Sequence, residues 1–223
     1  MSKRIKALIP VRAGSQRVIE KNIRKFANSS LLEIKIRQLK RISGIDEIIV
    51  NSDCPKMLEI ANKNGVTAIS RDPYFASSGV SMNDVWQHLA EVTDSDHIIY
   101  TNCTNPLVKD ESYELAIQKY LNLDKEFDSL TTVNRVQEYL WDKDVAINYD
   151  PKNHPRSQDL PVYNALNFAI SIIPRVLMVE SKSILGNNFY HFIISDIESI
   201  DIDTMDDFVL AESVYRTLDK KEK

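Results

Sequence analysis

Apolar residues gather in short runs, and polar stretches with helical spacing lie between them. The near-continuous run from Ile5 to Val11 predicts a strand over 3–11, buried on both faces. Ser30 followed by Glu33 makes a capping box, and Leu32, Ile36, Leu39 and Ile42 then recur at helical spacing up to Gly44. Residues 46–50 read as a second strand, 55–63 as a helix closed by Gly65, and 66–69 as a third strand. After an irregular stretch, Ser81 caps a helix reaching about Glu91, and 97–100 form a fourth strand. Another helix starts at Asp110 or Ser112 and runs through Tyr120, and 128–133 form a fifth strand. This alternation predicts parallel βαβ units in an open α/β sheet.

The rhythm then changes. Residues 140–149 read as paired short strands, 153–161 as a polar loop, and 164–173 as a strand stopped by Pro174. Residues 190–194 and 199–202 read as short strands. A last helix runs from about Thr204 to Leu218, with Phe208, Leu210, Ala211 and Val214 on its apolar side, and the tail from Asp219 reads as frayed. With no repeat or clean linker, the chain reads as one domain over 1–223 carrying a small antiparallel insertion.

Composition narrows the partners. Lys+Arg 28 against Asp+Glu 32 gives a net charge of -4, which argues against a general nucleic-acid or anionic-membrane binder. Hydrophobic residues at 43% supply a core, and a mean hydropathy of -0.29 is that of a soluble protein. Cys54 and Cys103 make neither a disulfide framework nor a zinc site, and free thiols suit a cytoplasmic location. The start is too short and wrongly flanked for a signal peptide, and no apolar run approaches a membrane span.

On this mildly acidic background the cations near the first loop stand out. The first strand breaks at Arg12-Ala13-Gly14-Ser15-Gln16, with Arg17, Lys21 and Arg24 close behind. A Gly/Ser bend after a strand can aim N–H groups at an anion, and Arg and Lys add charge. The loop matches neither a Walker loop nor a dinucleotide fingerprint. It reads as a triphosphate-binding loop at the carboxyl end of the first strand, where open α/β sheets bind ligands. Ser52-Asp53, Arg71 and Asn102–Asn105 follow other strands and are candidates to converge on the same edge. Near the other terminus, Asp201 and Asp203 share one face of a predicted strand. Paired carboxylates repel unless a cation joins them, and Mg²⁺ takes one or two carboxylates with phosphate oxygens and water. The plainer alternative has Asp203 capping the last helix and Asp201 solvated.

The first loop, Arg12-Ala-Gly-Ser15 with Lys21-Asn22, resembles the start of the cytidylyltransferases that activate acylneuraminic acids. Three further segments resemble the same family in order: Asn102-Cys-Thr-Asn-Pro-Leu107; Arg156 with Gln158-Asp-Leu-Pro161, Tyr163 and Asn167; and Asp201-Ile-Asp203 with Asp207-Phe208 and Ala211-Glu212. The resemblance implies a Rossmann-like, three-layer nucleotide-diphospho-sugar transferase fold in the α/β class. It implies a homodimer, with an inserted segment at about 138–165 crossing to the partner, and no nucleic-acid or membrane partner.

The implied reaction transfers CMP from CTP to the anomeric hydroxyl of a nonulosonic acid and releases pyrophosphate. By resemblance, Arg12, Ser15 and Lys21 hold the phosphates within a nucleotide site of Arg12, Ala13, Gly14, Ser15, Arg17, Lys21, Asn22, Arg71 and Ser81. Arg12, Lys21 and Asp203 are the implied catalytic residues. Asn102, Arg156, Gln158 and Asn167 would face the sugar, and Asp201 and Asp203 would hold Mg²⁺. Three positions depart from the family: Gln16 replaces a lysine, Asn102 a glutamine, and Phe168-Ala-Ile-Ser171 a Gly-Ala-x-Tyr. Rival readings are a nucleotidyltransferase for another sugar and a nucleotide-binding protein that has lost catalysis.

Overall fold

The computed structural model describes residues 4–219. In chain order the elements are β1 (Ile5–Pro10), β2 (Lys25–Phe26), β3 (Ser29–Ser30), α1 (Leu31–Leu39), β4 (Glu47–Ser52), α2 (Pro55–Lys63), β5 (Thr67–Ser70), α3 (Met82–Glu91), β6 (His97–Tyr100) and α4 (Asp110–Leu121). They continue with β7 (Ser129–Val136), β8 (Trp141–Asp142), β9 (Val145–Ala146), β10 (Tyr163–Pro174), α5 (Arg175–Ser181), β11 (Phe189–Ile193) and α6 (Met205–Asp219). The expected frayed tail lies almost wholly outside the described residues.

Strand alternation explains the three layers. In β1, Ile5, Ala7 and Ile9 pack with α1, α2, α4 and α6, while Leu8 faces α3 and α5. β6 divides likewise, with Ile99 on the first side and Ile98 and Tyr100 on the second. Both faces are covered, so the strands read as continuous apolar runs. The capping box forms as expected: the Ser30 hydroxyl accepts from Glu33 N at 3.3 Å and donates to its carboxylate at 2.9 Å.

The sheet order is β11-β7-β10-β6-β1-β4-β5. β5, β4, β1 and β6 run parallel, as expected. β7 keeps the same direction, so the predicted parallel series holds, and β10 enters antiparallel between β6 and β7. β10 reaches past β6, and its outer half pairs only with β7. The two make a ribbon projecting beyond the carboxyl end of β6. A register shift lies between Leu166 and Ser171, where Phe168 takes φ 53, left-handed backbone unusual for a bulky side chain.

Three expectations are corrected. Residues 199–202 form no strand; Ile202 N is tied singly to Thr104 O at 2.9 Å, and Ile200 O accepts from the Asn105 amide at 3.3 Å. Leu210 faces solvent rather than the apolar side of α6. Pro174 ends β10 but leads directly into α5, which the apolar pattern did not reveal.

Candidate active site

The break after β1 builds a cavity of about 420 Å³ lined by Arg12, Gly14, Ser15, Gln16, Arg17, Lys21, Asn22, Asn102 and Thr104, among others. Gly14 has φ 80, a conformation that glycine adopts without steric cost. Ala13 is the exception in this loop: its N–H donates to Asp53 Oδ1 at 2.9 Å, so it anchors the bend rather than offering a donor to an anion. Asn22 is buried, and its Oδ1 accepts from the Cys103 thiol at 3.2 Å. That contact joins the first loop to the loop after β6.

A second cavity, of about 350 Å³, shares Pro10, Val11, Arg12 and Ser78 with the first. Phe75, Val80, Val85, Leu89 and Tyr100 line it with Arg71. Arg71 is 5% exposed and fixed by Asn51, whose Oδ1 and carbonyl accept at 2.6 and 2.8 Å. Arg12 donates to Ala76 O at 2.8 Å and stands at the junction of the two cavities. A polar, cationic chamber beside a more apolar one suits phosphates beside a planar ring. Ser81 does not join this chamber: its hydroxyl accepts from Asp84 N at 3.2 Å and donates to the Asp84 carboxylate at 2.8 Å, capping α3. Ser77 and Ser78 stand at the wall instead.

The two ends of the chain meet here. Arg17 Nη2 lies 2.7 Å from Asp203 Oδ1, across 186 residues. Lys21, only 14% exposed at its side chain, lies 3.7 Å from the same oxygen and donates to Ile202 O. With Gln16 where the family has a lysine, Arg17 and Lys21 are the cations facing the acidic segment. Asp203 is not a helix cap. Thr204 caps α6, its hydroxyl accepting from Asp207 N at 3.3 Å while the Asp207 carboxylate accepts from Thr204 and Asp203 backbone N–H groups.

Asp201 and Asp203 flank buried Ile202 without the expected strand. Partial loss of water around the carboxyl of Asp201, a residue that keeps solvent exposure, raises its pKa; Thr104 counters by a hydrogen bond, and nearby Asp203 raises it further. Such crowded acid is the environment a divalent cation relieves. The donors are all oxygen, which fits Mg²⁺ completed by phosphate and water. Among the described residues no group of three or more His, Cys, Asp or Glu could hold a metal by itself.

The expected sugar-facing residues divide. Asn102 lines the phosphate chamber. Asn167 sits at the β10 irregularity, its Oδ1 accepting from Thr132 Oγ1 at 2.6 Å and Ala169 N at 3.2 Å, while its buried Nδ2 has no partner. Arg156 and Gln158 lie on an exposed turn in 137–162, and Arg156 is paired twice with Asp159, at 2.7 and 3.1 Å. Neither lines the chamber within one chain. Ser171, where the family has tyrosine, is fully buried against Thr131.

Asp53, Cys103 and Thr104 belong to this neighbourhood, as their positions after strands suggested, and Ser78 and Tyr100 join them without a distinguishing signal as letters. A larger cavity, about 480 Å³, lies between α1 and the start of α4, and none of the expected site residues lines it. The donor set, not the volume, selects the site.

Comparison with known proteins agrees with this geometry. A family model described as Cytidylyltransferase matches residues 6–172. The chain is 26% identical over 221 residues to the pseudaminic acid cytidylyltransferase of Campylobacter jejuni, covering 94% of this chain and 95% of that one. It is 25% identical to the CMP-N,N'-diacetyllegionaminic acid synthase of Legionella pneumophila, covering 95% and 96% respectively. Among solved structures, a CMP:2-keto-3-deoxy-manno-octonic acid synthetase complexed with CTP superposes with a TM-score of 0.72 at 14% identity, over 96% of this chain and 99% of that one.

Proposed function

Because the chain belongs to the cytidylyltransferase family, we propose that it transfers CMP from CTP to the anomeric hydroxyl of a nonulosonic acid, releasing pyrophosphate. The observation that carries this is the meeting of Arg17 and Lys21 with Asp203 at the mouth of the phosphate chamber. The sugar hydroxyl attacks the α-phosphorus in line, its bond to phosphorus forms as the bridge to pyrophosphate breaks, and pyrophosphate carries away the electron pair. Phosphorus transfer depends on positioning and charge neutralisation. Arg12, Ser15 and Lys21 hold the phosphates, and Asn22 and Arg71 bound the nucleoside side. Asp201 and Asp203 would hold Mg²⁺, which when bound neutralises phosphate charge and acidifies an attacking hydroxyl. Asn102 faces the sugar.

The substrate class comes from the relatives' names: pseudaminic, legionaminic and N-acylneuraminic acids share the nonulosonic skeleton. Purified protein given CTP, Mg²⁺ and a panel of these acids is expected to release pyrophosphate with at least one of them. Silence with every acid, alongside intact CTP binding, would favour the lapsed nucleotide-binding protein. Preference for UTP or GTP in competition would favour another nucleotidyltransferase.

The chain also works, in this reading, as a homodimer through the ribbon of β7 and β10 and its tip. Trp141, Val145, Ile147, Val162 and Leu166 are exposed there, an apolar set that a second copy would cover. Arg156 would then serve the partner's sugar site. Val145→Glu with Ile147→Glu is expected to shift the sedimentation coefficient from dimer to monomer and to reduce turnover. A wild type that sediments as a monomer while turning over at full rate would remove the dimer.

A further inference from the structure

Lys35 is wholly buried in the middle of α1, on the face that also carries Leu31, Leu32 and Leu39. Its ammonium donates to Gln38 Oε1 at 2.8 Å, Tyr113 Oη at 2.9 Å and Asn105 O at 3.1 Å. Three donors meet three acceptors, the condition under which a buried charge is tolerated. Since Tyr113 Oη accepts from Lys35, its own proton points to Thr101 Oγ1, which in turn donates to Ala169 O at 2.8 Å. Gln38 extends the network to Val108 O and Asp110. One lysine thus reaches both ends and the middle of the 101–109 loop. That loop carries Asn102 in the chamber wall, Cys103 against Asn22, and Thr104 against Ile202 and Asp201.

We propose that Lys35 is a positioning residue that fixes the loop between β6 and α4, and through it holds Asn102 and Thr104 in register with the phosphate loop and the acidic segment. Its kinetic consequence rests on the cytidylyltransferase reading; its structural consequence does not. The titratable groups around it are Cys103 on the loop and Asp110 and Tyr113 on α4. Burial pulls the Lys35 pKa down to about 7, while Cys103 and Asp110 oppose that fall. An opening that re-solvates the amine lifts its pKa back, so the closed loop gains stability as pH rises above about 7.

Cys103 reports the loop directly. It is 2% exposed, and burial pushes its thiol up to about 12, so labelling requires the loop to open. Cys54→Ser leaves Cys103 as the single cysteine. In that background Lys35→Met is expected to speed labelling by dithionitrobenzoate at least tenfold, beyond any fall in the global folding constant from urea titration. An unchanged rate, or an acceleration no larger than that fall, overturns the proposal. Should the Met variant not fold, the wild-type loop gives the answer between pH 6 and 8.5. Corrected for thiolate fraction, labelling is expected to fall as pH rises through neutrality, and a flat corrected rate overturns the proposal.

Global unfolding falls in the same sense, so the change counts only where labelling exceeds the rate that the urea-derived folding constant allows. An unfolded lysine keeps its proton to higher pH than the folded one, so the Lys35 contribution to stability grows as pH rises above about 7. In turnover, Lys35→Met is expected to raise the sugar KM at least fivefold with CTP affinity held within twofold; an unchanged KM counts against the role. A wild type that releases no pyrophosphate removes the functional reading and leaves the thiol result standing.

Discussion

Asp203→Ala is expected to lower turnover by roughly 10²–10³-fold, the usual cost of deleting one preorganised charge-stabilising group, without measurable loss of fold. The structure separates these two effects. Asp203 has a side chain 48% exposed, and its partner Arg17 is 65% exposed, so their ion pair contributes at most about 1 kcal/mol. The helix that follows is capped by Thr204 and Asp207, which the substitution leaves in place. The melting temperature should therefore move by no more than about 2–4 °C. Losing Asp203 leaves Asp201 as the remaining acid of the pair and frees Arg17 and Lys21 to close on phosphate. CTP affinity measured in chelator should then hold or rise while pyrophosphate release collapses. Full activity in the alanine variant would refute the metal-holding role.

Lys21→Met should act in the opposite sense, weakening CTP binding by roughly a hundredfold through loss of a largely desolvated cation. Lys21 differs from Arg17 in its surroundings: its side chain is 14% exposed, and it reaches Ile202 O as well as Asp203. It therefore both carries charge and ties the first loop to the acidic segment. Methionine keeps the stem and removes the charge. A matching Arg17→Met change, at an exposed position, should cost far less. Calorimetric titration with CTP and no sugar separates the two. Equal losses at both positions would mean that bulk positive charge, rather than a placed ammonium, binds the triphosphate.

Much of the frame was legible because local chemistry and packing agree. Ser30 and Glu33 announce α1, Ser81 announces α3, and the β1 run announces a strand covered on both faces. The direction of β10 was not legible. The apolar letters of β10 suit either orientation, and only the neighbours it finds make it antiparallel. Ile200 and Ile202 imitate strand alternation, yet each is held by a single bond to the 104–105 backbone or amide, with no ladder.

The site shows the same division. Arg12, Gly14, Ser15, Lys21 and Asn22 converge because one tight bend carries them. Ser81 was read as a nucleotide contact, and its hydroxyl is occupied in capping its own helix. Arg156 and Gln158 sit on a projecting segment that this chain's own core does not bring to the cavities. Lys35 escaped notice because a lysine inside an apolar stripe reads as a break in the pattern. Its partners come from α4 and the loop before it, about 70 residues away.

The antiparallel entry of β10 also bears on how the chain is made. During synthesis, β6 gains β1 as a neighbour early, but its other edge has no partner until residues 163–174 leave the ribosome. β7 emerges before β10 and cannot join the growing sheet without it. For roughly a third of its length the nascent polypeptide thus carries an unzipped seam of main-chain donors and acceptors, the kind of edge that recruits strangers. The strand that closes that seam also carries Asn167, expected from the sequence to face the sugar, so under the proposed function the sheet and that part of the site are completed together.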